Sequence, residues 1–140
     1  MARPRAGRGV IAAGARPFIP PIPGLAEVNP LTSDNVWNLR TLPKRLVVLG
    51  GGPIGSELSQ AFARLGSKVT QVEMADALLG REDADVSALA QAVLESDGVT
   101  VLTGHKAVRI EGRTLIAEEG GQEVRVPFDV LLVAVEHRDQ

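Results

Sequence analysis

The sequence predicts an α/β fold: a Rossmann-like three-layer domain with a parallel β-α-β-α-β sheet, an antiparallel β-meander and a closing parallel strand. Three observations carry this prediction. Unbroken aliphatic runs at 46–49 and 130–135 are typical of strands that are buried on both faces. Apolar residues recur at helical spacing after the first run. Hydrophobic residues make up 44% of the chain but aromatic residues only 3%, so the core must be built from aliphatic side chains.

The chain before the predicted sheet divides into two parts. Residues 1–9 carry three Arg and no acid, and we expect a disordered, solvated terminus, with a nucleic-acid arm or a targeting remnant as alternatives. Residues 10–44 are predicted to be a connector that begins with a short strand at 10–13. Four prolines between 16 and 24 forbid a helix or a central strand there. Residues 32–35 are expected to cap a short helix that runs through Leu39.

Two helices and two further strands follow the first buried strand. The strands are predicted at 68–73 and 99–102. Gly66 and Gly98 are expected to end the helices, and acidic residues at 82, 83 and 85 begin the second one. The predicted inward stripes are Ile54, Leu58, Ala61, Phe62 and Leu65 in the first helix, and Val86, Leu89, Ala90, Val93 and Leu94 in the second.

The last third of the chain changes character. Short alternating runs at 107–110, 114–117 and 123–126 predict the meander, with hairpin turns at 111–112 and 120–121. The run at 130–135 predicts the closing strand, which we expect to pair in parallel beside the strand at 46–49. The domain is predicted to span residues 45–135.

One glycine-rich motif carries the chemistry. Gly50-Gly51-Gly52-Pro53-Ile54-Gly55 fits the pattern G-x-G-x-x-G, follows a predicted strand and opens a predicted helix. Gly50 would permit the tight turn, Gly52 the close approach of a pyrophosphate, and Gly55 close packing of helix on strand. Pro53 suits the first helical turn, and the helix N-terminus attracts anions. The alternative is an ordinary glycine-rich turn.

An acid is placed where such a site needs one. Glu73 ends the second strand, 18 residues after Gly55, where a carboxylate accepts hydrogen bonds from the hydroxyls of an adenosine ribose and repels a 2′-phosphate. No Arg follows it before Arg81. The pattern therefore favours NAD over NADP, with a solvated strand-end acid as the alternative for Glu73.

Other polar residues give weaker indications. Glu57 either favours the helix dipole or lies near the nicotinamide end of the cofactor, and spacing leaves both readings open. His105 and His137 have no partner at metal-ligand spacing and form no acid–His–nucleophile set. The acidic cluster at 76–85 is better explained as a helix start than as a metal site. We therefore predict neither catalytic residues nor metal ligands.

Composition excludes several classes of protein. The chain has no Cys, which excludes disulfides, thiolate metal sites and cysteine-based catalysis within it. The net charge of -2 gives no reason to expect nucleic acid or a membrane surface, and no apolar run approaches the roughly 20 residues that span a bilayer. A cytoplasmic location is the expectation.

Several ordered stretches together resemble the pyridine nucleotide-disulfide oxidoreductase family, most closely its dihydrolipoamide dehydrogenase-like and mercuric reductase-like members. They are 10–17, 22–24, 42–44, 46–57, 65–73 and 129–135. The resemblance implies that the motif and Glu73 hold the adenosine diphosphate of NAD, and that Glu57 lies near the contact between nicotinamide and flavin. It implies that Ala107 contacts the adenine side through its backbone, and we count Ala134 among the cofactor-binding residues.

The resemblance also implies what a whole member contains. The stretch 12–14 is similar to the return of the chain to an FAD domain, so 10–44 would be the connector from that domain. Whole members carry FAD, a redox-active cysteine pair and a dimerisation domain, and form homodimers; none of these parts is in this sequence. After Val135 the family continues with Gly-Arg, whereas residue 136 is Glu, so 136–140 is a non-family tail.

The leading hypothesis is therefore an NAD(H)-binding domain of an FAD-dependent enzyme, which exchanges hydride with flavin in the full-length parent. A stand-alone NAD(H)-binding module and an inactive truncated remnant are the alternatives. A bulky acid at Glu136 would crowd the nicotinamide end of the site.

Overall fold

The computed structural model describes residues 19–135, and two sheets organise this part of the chain. The first is a five-stranded parallel sheet and the second a three-stranded antiparallel one. The strands of the parallel sheet are β1 (Leu31–Thr32), β2 (Arg45–Leu49), β3 (Lys68–Val72), β4 (Thr100–Leu102) and β8 (Val130–Val133). The strands of the antiparallel sheet are β5 (Lys106–Glu111), β6 (Thr114–Glu119) and β7 (Gln122–Pro127). The predicted fold class is confirmed.

The parallel sheet has the strand order β1-β8-β2-β3-β4. Strand β8 pairs in parallel with β2, with Leu46 opposite Val130 and Leu49 opposite Val133, which confirms the predicted place of the closing strand. All four pairs of neighbouring strands in this sheet are parallel. The carboxyl ends of the strands therefore meet at one edge of the sheet, where ligands bind in open α/β folds.

Two helices cover one face of this sheet. Helix α1 (Pro53–Leu65) joins β2 to β3, and helix α2 (Ala84–Ser96) joins β3 to β4. The core on this side is aliphatic apart from one Phe. It consists of Val36, Leu46, Val48, Leu58, Phe62, Val69, Leu78, Leu94, Val99 and Leu132.

The meander covers the opposite face. Alternate residues of β2, Val47 and Leu49, point to this side, because successive side chains of a strand face opposite ways. They pack in a second core with Leu25, Val72, Ile110, Leu115, Val126, Phe128, Leu131 and Val133. The sheet is thus buried on both faces, as its continuous aliphatic strands predict.

The predicted apolar stripes of the helices are only partly buried. Leu58, Phe62 and Leu94 lie in the core, but Leu65 and Leu89 are each 67% exposed. Small residues of the helices are buried as well. The buried small residues are Gly55 and Ser59 in α1 and Ser87 in α2. Ile54, Ala61, Val86 and Val93 are also exposed, so the inward direction predicted from periodicity was wrong for these residues.

The segment before β2 contributes more to the sheet than the sequence indicates. Strand β1 pairs with β8 at the edge, and Leu25 and Val36 are buried in the two cores. The predicted helix through Leu39 is a single 3-10 turn, Val36–Asn38. Asn35 does not cap it, since its Oδ1 accepts a hydrogen bond from the N–H of Thr32 instead.

Several expectations fall outside the described residues. These are the terminus 1–9, the strand at 10–13, the stretch 12–14, and the tail 136–140 with Glu136 and His137. Within residues 19–135, no helix is long and apolar enough to cross a membrane.

Candidate functional site

A cavity of about 580 Å³ lies at the carboxyl edge of the parallel sheet. Its volume falls in the range of small-molecule sites, roughly 300–1,000 Å³. Eight of the ten predicted site residues line it. They are Gly50, Gly51, Gly52, Pro53, Ile54, Glu73, Ala107 and Ala134.

The glycine-rich loop is held tightly against the sheet at its beginning. Gly50 has φ +123°, which favours glycine. A Cβ at Gly50 would lie 2.7 Å from the carbonyl oxygen of Ala134, so strand β8 leaves no room for a side chain. A Cβ at Gly55 would overlap the carbonyl oxygen of Gly50. Gly50 and Gly55 therefore serve the close packing of loop, helix and sheet, as the motif predicts.

The middle of the loop is open instead. Gly52 precedes α1, and a Cβ built on it meets nothing within 4 Å. Its backbone is extended, with φ -79° and ψ -170°, which any residue adopts. No side chain caps the N-terminus of α1, so its N–H groups and its partial positive charge remain available to an anion. Space next to Gly52 is thus available to a ligand and not required by the protein.

Glu73 links this loop to the segment that follows β3. Its Oε1 accepts a hydrogen bond of 2.7 Å from the N–H of Gly51, and its Oε2 accepts one of 2.6 Å from the N–H of Ala75. The segment is tied to the loop a second time, because the N–H of Leu79 donates to the carbonyl oxygen of Gly51 at 2.8 Å. Each carboxylate oxygen has a further lone pair, so Glu73 can still accept hydrogen bonds from a ligand.

Gln71 lies beneath the loop and was not recognised from the sequence. It is 0% exposed, and its Nε2 donates to the carbonyl oxygen of Gly50 at 3.0 Å and to Oγ of Ser56 at 3.1 Å. In the sequence it is one polar residue of an alternating strand, and such a residue is expected to face solvent. The structure buries it because α1 covers that side of β3.

Two predicted site residues lie outside the cavity. Gly55 packs behind the loop, as described above. Glu57 is exposed on α1 and does not line the cavity, so a contact with the nicotinamide end stays a prediction.

The cavity is also lined by residues that the motif did not indicate. Among them Arg81 and Lys106 bring positive charge, and neither forms an ion pair within residues 19–135. Arg81 was noted in the sequence only for its distance from Glu73. The loop after β3 folds back over the glycine loop, which brings that residue to the cavity.

His105 also lines the cavity and is 8% exposed. Its Nδ1 lies 2.7 Å from the carbonyl oxygen of Thr103, and its Nε2 lies 3.6 Å from a carboxylate oxygen of Glu119. A ring nitrogen this close to a carbonyl oxygen must carry the proton. His105 thus contacts the carbonyl oxygen of Thr103 and the carboxylate of Glu119.

Two groups of ion pairs on the protein surface lie away from the cavity. Arg109 bonds Glu111 and Glu123 across the meander, which lowers the pKa of both carboxyls and raises the pKa of Arg109. Arg45 and Asp129 pair at the start of β2 and β8, and the hydrogen bonds from Arg45 lower the pKa of Asp129. The pair of Arg109 with Glu123 spans β6 from β5 to β7, and the pair of Arg45 with Asp129 joins the neighbouring starts of β2 and β8. No group of three metal-binding side chains occurs in the part of the chain that the structure describes.

The fold and the site together define a Rossmann-like domain of the flavoprotein oxidoreductase type. The crystal structure of reduced Bacillus anthracis CoADR-RHD superimposes with a TM-score of 0.76 at 26% identity, over 87% of this chain and 23% of that chain. The HOCl-induced flavoprotein disulfide reductase RclA from Escherichia coli superimposes with a TM-score of 0.71 at 32% identity, over 90% of this chain and 29% of that chain.

Sequence comparison gives the family. The family model described as pyridine nucleotide-disulphide oxidoreductase matches residues 4–137, and the chain belongs to this family. Dihydrolipoyl dehydrogenase of Acholeplasma laidlawii is 33% identical over 130 residues, and mercuric reductase of Streptomyces lividans 40% identical over 135 residues. The chain spans 39% and 28% of the length of these two relatives, while 90% and 92% of the chain is covered. The predicted family is confirmed.

Proposed function

We propose that this chain binds NAD(H) in the cavity at the carboxyl edge of the parallel sheet. One observation carries the proposal: the glycine loop, the uncapped N-terminus of α1 and the Glu73 carboxylate line a single cavity. Anion-binding backbone and a ribose-binding acid are the two groups that recognise an adenosine diphosphate in this fold.

The fit can be followed from one end of the nucleotide to the other. The pyrophosphate would lie against Gly52, where the absence of a Cβ leaves open space. The ribose hydroxyls would donate hydrogen bonds to Glu73, and the adenine would lie beside the backbone of Ala107. Ala134, at the end of β8, would bound the cavity on the side toward the nicotinamide.

The choice between NAD and NADP depends on opposing charges in this cavity. The carboxylate of Glu73 repels a 2′-phosphate, whereas Arg81 and Lys106 would attract one. Glu73 has the stronger influence, because it is fixed by two backbone hydrogen bonds at the strand end where the ribose lies. We therefore expect NADH to bind more tightly than NADPH.

In a longer parent protein, this domain would present the nicotinamide to FAD, and the bound cofactors would supply the hydride transfer. The chain's own residues would bind and orient the nucleotide. The parent is then an FAD-dependent homodimer with further FAD and dimerisation domains, similar to dihydrolipoamide dehydrogenase. Glu57 would lie at the nicotinamide–flavin contact when that domain is in place.

A titration of the purified 140-residue chain with NADH tests this function. NADH fluorescence should rise and saturate at one site per chain, and ADP-ribose should displace it, since the adenosine half makes the predicted contacts. Gly52→Val is the matched variant because it fills only the open space of the cavity. Failure of the unmodified chain to bind NADH, ADP-ribose or NADPH would contradict the proposal.

A further inference from the structure

Gln71 occupies an unusual position for an amide side chain. It lies on β3, is fully buried, and uses both hydrogens of its amide on the glycine loop, one on the carbonyl oxygen of Gly50 and one on Oγ of Ser56. Gly50 directly follows β2, and Ser56 lies in the first turn of α1. The amide thus joins β3 to both ends of the loop.

The orientation of this amide is fixed by its partner. A carbonyl oxygen can only accept a hydrogen bond, so Nε2 must face Gly50, and Oε1 is then left without a partner within residues 19–135. A buried oxygen without a hydrogen bond destabilises a fold. An apolar side chain of the same length would remove this cost but would leave the carbonyl oxygen of Gly50 without the donor that Gln71 supplies. The amide is therefore explained by the groups that it bonds.

The carbonyl of Gly50 and the N–H of Gly51 belong to one peptide group. Gln71 donates to its oxygen at 3.0 Å, and Glu73 accepts from its nitrogen at 2.7 Å. Gln71 and Glu73 are two residues apart, so their side chains lie on the same side of the extended chain. Strand β3 therefore holds this peptide group from both ends.

We propose that Gln71 is a positioning residue, which fixes the orientation of the Gly50–Gly51 peptide and, through it, the carboxylate of Glu73. A peptide between two glycines turns over readily, because neither residue has a Cβ to oppose it. Turned over, its oxygen would face the Glu73 carboxylate and repel it from the ribose position. The consequence for nucleotide affinity rests on the proposed function, whereas the orientation of the peptide does not.

The space around Gly51 supports the same relationship. A Cβ at Gly51 would lie 2.9 Å from Cβ, Cγ and Oε1 of Glu73. A side chain at residue 51 would therefore collide with the acid, and only glycine lets the peptide approach the carboxylate as closely as the hydrogen bond from its N–H requires.

Gln71→Met tests the proposal, because Met has nearly the same length and no donor. We expect the affinity for NADH to fall about tenfold while the melting temperature changes little, since the loss of the hydrogen bonds to Gly50 and Ser56 is offset by removal of the unpartnered Oε1. Ser59→Ala is the matched control: Ser59 is also fully buried with an unpartnered oxygen, but it makes no hydrogen bond with the loop. It should leave the affinity for NADH unchanged.

Nitrogen-15 NMR of the nucleotide-free chain tests the peptide itself. The Gly51 amide proton should resonate downfield, because it bonds a carboxylate, and should shift upfield or broaden in Gln71→Met but not in Ser59→Ala. An unchanged Gly51 signal together with unchanged NADH affinity in Gln71→Met would overturn the proposal. Should the unmodified chain not bind NADH while the Gly51 signal responds as expected, the proposed function fails and the positioning of the peptide stands.

The unmodified chain provides a measurement that does not depend on the folding of a variant. Both side-chain amide protons of Gln71 should exchange slowly with solvent, and one should show a nuclear Overhauser effect to the Ser56 side chain. Rapid exchange of both protons would show that the amide is not bonded to the loop, and the proposal would then be wrong.

Discussion

The N–H of Gly51 donates a 2.7 Å hydrogen bond to Oε1 of Glu73, which joins the loop after β2 to the end of β3. The second carboxylate oxygen is bonded to the N–H of Ala75. A hydrogen bond to a charged acceptor is stronger than one between neutral groups. The acid is therefore already oriented toward the cavity before any nucleotide binds, which reduces the entropy that binding must offset.

Replacing Glu73 is expected to change the choice of nucleotide. Glu73→Arg should lower the affinity for NADH and raise that for NADPH, because repulsion of the 2′-phosphate becomes attraction. We expect the ratio of the two dissociation constants to change at least about tenfold, which corresponds to about 1.4 kcal/mol. Titrations with both nucleotides at the same ionic strength measure it.

Glu73→Gln provides the control for this prediction. The amide oxygen can still accept from the N–H of Gly51, so the bond to the loop is kept while the negative charge is removed, although the hydrogen bond from the N–H of Ala75 is lost. An intermediate preference is expected. Equal affinity of the unmodified chain for NADH and NADPH would show that Arg81 and Lys106 offset the acid, and the predicted preference would be wrong.

The same substitution should lower NADH affinity at one glycine of the motif and protein stability at another. Gly52→Val adds a side chain to open space at the predicted pyrophosphate position, so NADH affinity should fall at least about tenfold while the melting temperature changes little. Gly55→Val would force a side chain against the carbonyl oxygen of Gly50, so the protein should lose stability first. Thermal melts run beside NADH titrations separate the two effects. Normal binding by Gly52→Val would mean that the phosphates lie elsewhere.

The paired start of strands β2 and β8 predicts a dependence of stability on pH. Asp129 accepts hydrogen bonds from the backbone N–H and the guanidinium of Arg45, and these lower its pKa in the folded state. The stabilisation is then complete above the ordinary Asp pKa of about 3.9 and is lost as the pH falls below it. Asp129→Asn should lower the melting temperature slightly at neutral pH and by less at pH 3, where part of the stabilisation is already lost. Equal loss at both values would show that the charge of Asp129 contributes nothing.

The sequence predicts those parts of the fold whose signal is local. Strands β2 and β8 are unbroken aliphatic runs, and the motif from Gly50 to Gly55 has a fixed spacing, so each can be recognised alone. Strand β1 has only two residues and no periodicity of its own. Its place is set by pairing with β8, a tertiary contact that no local pattern reveals.

In the candidate site too, residues with a local sequence signal are predicted and residues placed by tertiary contacts are not. Glu73 is found because its distance from the glycine motif is characteristic. Gln71 is not, since it shares the helix-covered face of β3 with Val69, and no local pattern indicates that a polar side chain there is buried against the loop. Arg81 reaches the cavity only because the N–H of Leu79 bonds the carbonyl oxygen of Gly51 and turns the segment back over the loop. Leu65 and Leu89 fit a helical stripe, yet both are exposed, whereas Ser59 and Ser87 are buried. Periodicity gives the existence of a helix more reliably than its inward direction.

The last prediction is that the 140-residue chain, expressed alone, neither binds flavin in stoichiometric amount nor reduces disulfides. Disulfide reduction in the family that it belongs to passes electrons through a cysteine pair, and this sequence contains no Cys. Its single complete G-x-G-x-x-G motif lies beside Glu73, an arrangement that we assign to NAD. Bound NADH would then have no acceptor for its hydride.

Absorption spectra and activity assays check this prediction directly. The purified chain should show no flavin absorption band in the visible region. The rate of NADH oxidation with lipoamide or a dye as acceptor should not exceed the rate without protein. The chain supplemented with FAD is the matched control, because it tells a lost flavin from an absent flavin site. A stoichiometric flavin band together with turnover would mean that the glycine loop holds FAD, since one loop of this kind takes the phosphates of one dinucleotide.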